Sequence, residues 1–226
     1  MSNILAHLEP KEVFRYFEEL AAIPHGSGNT KQIAGYCEQF AKDRGLPHAR
    51  DAHDNVVIIR EAAAGYETAA PVLLQGHLDM VCDKKEGCAK DMRTEGLTLC
   101  TDGSYVWAEG TTLGGDDGIA VAYILTLLAS DDLPHPPIEA LFTVDEEIGM
   151  LGARGLDASK LHGRRLINLD SEVEGVLTVS CAGGVRALCK VPLDFTEDKA
   201  PETLAYRIYV SGLKGGHSGV DINRHR

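Results

Sequence analysis

The feature that most constrains the fold is an alternation of short apolar segments with longer segments in which apolar residues recur at helical spacing. The predicted strands span residues 56–59, 71–76, 138–144 and 166–169, and the predicted helices span residues 10–22, 30–44, 118–129 and 148–160. Strands that alternate with helices are typical of parallel sheets that are buried on both faces. The sequence therefore predicts an α/β fold with a mostly parallel central sheet flanked by helices.

Side chains of the types that can bind metals cluster beside four of these apolar segments. They are His77 and Asp79 after PVLLQG, Asp116 and Asp117 in GGDDG before the helix at 118–129, Asp145, Glu146 and Glu147 after IEALFTV, and Asp170 after LINL. Ligands of open α/β sheets bind outside the carboxyl ends of the strands. Carboxylates gathered there repel one another unless a cation compensates them. We therefore expect a divalent metal site, and two cations would compensate this many carboxylates better than one.

Each cluster on its own has a simpler interpretation. HLD is a common tripeptide, GGDDG is most often a tight turn, DEE is usually a solvated loop, and Asp170 could cap the next element. The metal interpretation depends on all four clusters lying at one edge of the sheet. An imidazole with several carboxylates favours zinc, manganese or cobalt over a metal that prefers thiolates.

Charge and composition exclude several classes of partner. The chain has 34 acidic and 22 basic residues, a net charge of −12, so nucleic acid and anionic membranes would repel it. The apolar run 118–129 is too short to span a bilayer, which takes about 20 residues. The first residues lack the features of a signal peptide, and the six cysteines form no C-x-x-C pair. These features predict a cytoplasmic protein with reduced thiols.

The pattern of apolar and polar residues changes near Gly184. VRALCKVPLDF and LAYRIYVSGL interleave apolar and polar residues, a pattern typical of half-exposed strands. We predict that residues 1–184 form the N-terminal part of a catalytic domain. Residues 185–226 would begin a smaller α+β lid domain.

Five segments resemble a known family in order and spacing. QGHLDMV, GTTLGGDDGIAVA, TVDEEIGMLGA, NLDSEVEG and SGLKGGHSG are similar to the aminoacyl-histidine (Xaa-His, cytosol non-specific) dipeptidases, co-catalytic di-zinc peptidases related to carboxypeptidase G and the aminoacylases. The resemblance runs from about residue 23 to the end of the chain. It implies a peptide-bond hydrolase that acts on dipeptides, forms a homodimer when full length, and binds two Zn²⁺ ions that Co²⁺ or Mn²⁺ could replace.

The resemblance also implies which residues bind metal. His77 and Asp170 would bind one zinc, Asp116 would bridge both ions, and Glu147 would bind the second. In the family a cis peptide bond joins the residues that correspond to Asp116 and Asp117. The second zinc is completed by a histidine near the C-terminus of a chain roughly twice this length. That ligand and most of the lid are therefore expected outside the 226 residues.

The resemblance implies catalytic roles for three further residues. Asp79 would hold a ring nitrogen of His77, and Glu146 would act as general base toward the attacking water. His217, in GGHSG, would donate a hydrogen bond to the oxyanion from the lid. A phosphate-binding loop is the alternative for GLKGGHSG, although no Gly-Lys-Ser/Thr follows. Asp145, Glu172 and the other histidines are interpreted as surface, supporting or packing residues.

The predicted function is thus metal-dependent hydrolysis of dipeptides. Three alternatives remain at this stage. The chain could be another member of the family, such as a tripeptidase, carboxypeptidase or aminoacylase, because these enzymes share the metal motifs. It could be a two-metal phosphatase, although additional histidines and basic groups for phosphate are lacking. It could also be a non-catalytic protein, or an inactive fragment that lacks the C-terminal metal ligand.

Overall fold

The computed structural model describes residues 4–171, 173–180, 187–194, 204 and 206–214. The chain divides into two units, Met1–Val176 and Leu177–Arg226. All helices and strands of the described residues lie in the first unit. They are α1 (Lys11–Ala21), α2 (Lys31–Asp43), β1 (His48–Arg50), β2 (Val56–Arg60), β3 (Val72–His77), β4 (Leu99–Thr101), β5 (Val106–Ala108), α3 (Gly115–Ala129), β6 (Ile138–Thr143), α4 (Leu151–Gly155), a 3₁₀ turn (Ala158–Lys160) and β7 (Arg165–Asn168).

The central sheet has five strands in the order β1-β2-β6-β3-β7. Strands β6, β3 and β7 are parallel, whereas β2 runs antiparallel to β6 and β1 runs antiparallel to β2. The α/β class is therefore confirmed, and the sheet is mixed, with an antiparallel edge beside a parallel part. Every residue of β6 is buried, including Glu139 and Thr143, as its central position in the sheet requires. Strands β4 and β5 form a separate hairpin.

Helix α3 packs against β3 on one side and against α1 on the other. Helix α1 presents Val13, Phe17 and Leu20 to the core from one face. Gly118 permits the close approach of α3, since a Cβ atom there would lie 3.3 Å from the ring of Phe17. This packing fixes the position of the first turn of α3, which carries Asp116 and Asp117.

Helix α2 ends at Asp43, one residue before its predicted end. Gly45 adopts a φ of 64°, and its N–H donates to the carbonyl of Lys42 at 3.1 Å. The N–H of Leu46 then donates to the carbonyl of Ala41 at 2.9 Å. These two bonds form a Schellman motif, in which glycine is favoured because φ is positive.

The predicted boundary near Gly184 remains a prediction. The described residues of the two segments predicted as half-exposed strands, 187–194 and 206–214, contain no strand. A strand requires a hydrogen-bonded neighbour, which alternation of apolar and polar residues does not supply by itself. No helix in the described part of the chain is long and apolar enough to cross a membrane.

Candidate metal centre

The three parallel strands deliver the predicted ligands to one edge of the sheet. His77 is the last residue of β3, residues 145–147 follow β6, and Asp170 lies two residues after β7. Because β3 pairs with both β6 and β7 in parallel, the carboxyl ends of all three strands meet at this edge. The sequence predicted this convergence from the strand ends alone.

His77, Asp116 and Asp170 form a group whose potential ligand atoms all lie within 4.8 Å of one another. The imidazole Nε2 of His77 lies 2.9 Å from Oδ1 of Asp116. His77 is buried, whereas the two carboxylates are exposed. Glu147, the fourth predicted ligand, lies outside this group of three. The peptide bond between Asp116 and Asp117 is cis, as the family resemblance implied.

Asp117 lies beneath the group and connects α3 to β3. Its Oδ2 accepts a hydrogen bond of 3.1 Å from the backbone N–H of His77, and the residue is 3% exposed. Burial raises the pKa of Asp117 to about 7, and the negative charges of Asp170 and Asp116 act in the same direction. This carboxyl group therefore supports the site from inside the protein and holds the end of β3 in place.

The ring of His77 has an oxygen atom at each nitrogen. Nδ1 lies 2.9 Å from the carbonyl oxygen of Asp79, and Nε2 faces Asp116. Burial by itself lowers the pKa of His77, but its hydrogen bonds with Asp116 and Asp79 raise that pKa to about 11. With a pKa this high the imidazole carries a proton at neutral pH, and a metal ion that bound His77 would have to displace it.

The carboxylate of Asp79 supports the site in a second way. Its Oδ1 lies 3.5 Å from Nδ1 of His77, farther than the carbonyl oxygen of the same residue. The two carboxylate oxygens instead accept the backbone N–H groups of Glu146, at 2.9 Å, and Glu147, at 3.3 Å. Burial works against ionisation here, but the nearby imidazole of His77 and hydrogen bonds from Ser27 and Glu146 hold the pKa of Asp79 below its ordinary value.

Glu146 and Glu147 both face other charged groups of the site. Burial raises the pKa of each side chain above the ordinary value for glutamate. Glu147 also lines an open pocket of about 850 Å³ together with Lys84, Asp91 and Arg93. The candidate centre therefore borders a space with charged groups of both signs.

The donor set fits a zinc ion. An imidazole nitrogen and two carboxylate oxygens converge, and imidazole and carboxylate are common zinc ligands. Burial is the main cause of the raised pKa of Asp117, and the charges of Asp170 and Asp116 raise it further; a cation would offset this repulsion. Within the ranges that the structure describes, no other three His, Cys, Asp or Glu residues converge in this way.

Two predicted residues lie outside the described part of the chain. They are His217, the proposed oxyanion donor, and Glu172. The supporting role of Ser27 and the hydrogen-bond partner of Asp145 were not predicted from the sequence. The Ser27 hydroxyl donates to Asp79 at 2.7 Å, and Asp145, interpreted as a surface or supporting acid, accepts the N–H of Gly28 at 2.7 Å. These contacts join positions 52 and 117 residues apart, for which the local sequence offers no signal.

Comparisons with known proteins agree with this geometry. The chain is 40% identical over 220 residues to the cytosol non-specific dipeptidase of Escherichia coli (strain K12), a match that covers 97% of this chain and 45% of the relative. It is 31% identical over 110 residues to peptidase T of Exiguobacterium sp., covering 47% of this chain and 25% of the relative. No family model matches the chain.

A solved structure supports the same relationship. The crystal structure of aminoacylhistidine dipeptidase from Vibrio alginolyticus superposes with a TM-score of 0.74 at 41% identity, covering 77% of this chain and 36% of that one. The chain spans about half the length of the E. coli relative. The sequence, the fold and the convergence of His77, Asp116 and Asp170 therefore identify the chain as a relative of the aminoacylhistidine (cytosol non-specific) dipeptidases.

Proposed function

We propose that the full-length protein is a metal-dependent dipeptidase that hydrolyses the peptide bond of dipeptides at the edge formed by β3, β6 and β7. The observation that carries the proposal is the convergence of His77, Asp116 and Asp170 within 4.8 Å. The names of the E. coli and Vibrio relatives support the choice of dipeptides as substrates.

The proposed cofactor is a pair of Zn²⁺ ions, with Co²⁺ or Mn²⁺ as substitutes. His77 and Asp170 would hold one ion and Glu147 the other, with Asp116 between them. A metal pair at such a site polarises the substrate carbonyl and lowers the pKa of water. The support for Asp116 as the shared ligand is its position at the start of α3, where it lies 2.9 Å from His77 and raises the pKa of Glu147.

Glu146 is the proposed general base. It would accept a proton from the attacking water and return it to the leaving amine. A base that works near neutral pH benefits from a pKa closer to that pH, and burial moves the pKa of Glu146 in this direction. The hydrogen bond from its backbone N–H to Asp79 fixes the point from which its side chain extends.

His217 is the proposed donor to the oxyanion, contributed by the lid. Its position within GGHSG supports this role.

The dipeptide would occupy the pocket of about 850 Å³ beside Glu147, a volume typical of small-molecule sites. Charged groups of both signs line this pocket, which suits a substrate with a free amino group and a free carboxylate.

The cytoplasm is the proposed compartment, because the E. coli relative is named as a cytosolic enzyme. We further propose that the full-length protein is a homodimer. Light scattering on the purified protein would measure a molar mass twice that of one chain. A monomeric mass would contradict the dimer and leave the proposed chemistry untouched.

The function is tested by removing and restoring the metal in the full-length protein. Chelation should abolish hydrolysis of a panel of dipeptides that includes Xaa-His, and Zn²⁺, Co²⁺ or Mn²⁺ should restore it. Metal analysis should find two ions per chain, and His217→Ala should lower kcat without changing that content. Tripeptides and N-acyl amino acids test the related activities. Hydrolysis that survives complete chelation, or activity confined to a substrate other than dipeptides, would overturn the proposal.

A further inference from the structure

The loop at residues 24–29, between α1 and α2, lies directly against the candidate metal centre. Gly26 forms an isolated parallel bridge with Met80, three residues after His77. The N–H of Met80 donates to the carbonyl of His25 at 3.2 Å, and the N–H of Ser27 donates back to the carbonyl of Met80 at 3.3 Å. These backbone contacts place the Ser27 side chain beside the residues that follow β3.

The Ser27 hydroxyl contributes to one buried cluster of hydrogen bonds. It donates to Oδ2 of Asp79 at 2.7 Å, and the side chain of Asp79 is fully buried. The same oxygen accepts the N–H of Glu147, and Oδ1 accepts the N–H of Glu146. Both oxygens of this carboxylate are therefore occupied, and Ser27 is the one side-chain hydroxyl among these donors.

A second contact holds the same loop to the same turn. Oδ1 of Asp145 accepts the N–H of Gly28 at 2.7 Å. The turn at residues 145–147 is thus bonded to the loop directly through Asp145 and indirectly through Asp79. Hydrogen bonds to an ionised carboxylate are stronger than neutral ones and direct its plane.

We propose that Ser27 is a positioning residue for the Glu146–Glu147 pair. Its hydroxyl fixes the plane of the Asp79 carboxylate, which in turn fixes the two backbone N–H groups from which the base and the metal ligand extend. The roles of Glu146 and Glu147 in this statement rest on the proposed function. The chain of hydrogen bonds does not, and it can be measured separately.

Amide hydrogen exchange tests the chain of hydrogen bonds without any assay of activity. In metal-free full-length protein, Ser27→Ala should accelerate exchange at the amides of Glu146 and Glu147 by about tenfold, since the acceptor loses its fixed orientation. Ser27→Thr keeps the hydroxyl and should restore slow exchange. The matched control is Ser159→Ala, which removes a hydroxyl bonded to Asp157 in an exposed turn outside the pocket beside Glu147. Unchanged exchange at both glutamates, or equal acceleration throughout the domain, would overturn the proposal.

Kinetics test the consequence for catalysis. Ser27→Ala should lower kcat by about tenfold, the lower end of the range for residues that orient a metal site, with KM within about twofold. The metal content should equal that of wild type. Added to Asp79→Ala, which leaves the hydroxyl no acceptor at that position, the same change should have no further effect, because Ser27 acts through Asp79. Additive losses, or a normal kcat, would refute the positioning role. A wild-type protein that hydrolyses no peptide would refute the proposed function alone, since the exchange experiment retains its meaning.

Discussion

At the scale of single residues, the neighbours Glu146 and Glu147 have different electrostatic environments. After burial, the largest influence on the pKa of Glu147 is the charge of Asp116, which raises it. The corresponding influences on Glu146 come from His77, which lowers its pKa, and from Asp170, which raises it. Glu147 is therefore coupled most strongly to the proposed bridging ligand. His77 and Asp116 act on both side chains, but in a different order of size.

The proposed roles, general base for Glu146 and metal ligand for Glu147, predict different outcomes for the two alanine variants. Glu146→Ala should keep both metals and lose at least about a hundredfold in activity, since only the base is removed. Glu147→Ala should lose metal as well as activity, because a ligand is removed. Metal analysis and steady-state kinetics on the full-length protein measure both properties.

The exposed Glu67 provides a control, because its carboxylate bonds the N–H of Gly65 and lies outside the site. Glu67→Ala should match wild type in both measurements. If Glu146→Ala loses metal while Glu147→Ala retains it, the two assignments are reversed.

At the scale of elements, the site depends on how closely α3 approaches β3. Gly76 occupies the strand position that faces the helix. A Cβ atom there would lie 2.8 Å from Oδ2 of Asp117 and 3.3 Å from Cβ of Ala120. The absence of a side chain at Gly76 therefore lets Asp117 reach the N–H of His77. It also sets the position of Asp116, the preceding residue.

Gly76→Ala should force α3 away from β3. We expect a loss of about 1–3 kcal/mol in the free energy of unfolding, the usual cost of overpacking, together with weaker metal binding. Gly35→Ala in α2 is the matched control, since its nearest neighbour would be Nη1 of Arg50 at an ordinary 3.7 Å. That variant should be neutral or more stable by about 0.5–1 kcal/mol. Denaturant unfolding and competition with a chelator measure both effects, and unaltered metal affinity in Gly76→Ala would contradict this account.

The elements that could be predicted are those with a strong apolar pattern. Helices α1, α2 and α3 and strands β2, β3, β6 and β7 lie within two or three residues of their predicted bounds. Strand β1, HAR, carries no apolar pattern and was missed. The helix predicted at 148–160 reduces to α4 and a 3₁₀ turn. Met150, at a φ of 56°, delays the start of α4, and Leu156 and Asp157, with ψ angles of 127° and 93°, separate α4 from the turn.

In the candidate site, too, some features could be predicted from the sequence and others could not. The convergence of His77, Asp116 and Asp170 follows from strand direction and could be predicted. The contacts of Ser27 and Asp145 depend on where a loop folds back, which no local pattern encodes. The antiparallel direction of β2 could likewise not be predicted from the sequence, because strand direction is set by the connections between strands and not by apolar content.

At the scale of the whole molecule, the chain has a net charge of −12, and several of its acidic groups lie together at one edge of its sheet. In metal-free protein this cluster retains protons. The folded-state pKa of His77 is about 11, against an ordinary 6.5, so its stabilising contribution is complete below about pH 6.5 and is lost as pH rises toward 11. The pKa of Asp117 is raised from 3.8 to about 7, so its ionisation destabilises the fold progressively across that interval. Both groups therefore lower stability as pH rises.

Metal binding should release the protons that the metal-free cluster retains. A histidine ligand must be neutral, so His77 has to release the proton that it holds at pH 7. A cation near Asp117 also favours its ionised form and releases a further fraction of a proton. Calorimetric titration of metal-free full-length protein with Zn²⁺, in buffers of different ionisation enthalpy, should count between about one and two protons released for the ion bound by His77. Affinity should rise about tenfold or more per pH unit near pH 7.

Asp117→Asn separates the two sources of protons, because it removes the fraction from Asp117 and leaves His77 in place. The variant should release about one proton, and its affinity should rise about tenfold per pH unit. Binding of Zn²⁺ without proton release, at an affinity independent of pH, would mean that His77 is already neutral in the metal-free protein. Its hydrogen bonds with Asp116 and the carbonyl of Asp79 would then not hold a proton in competition with the metal.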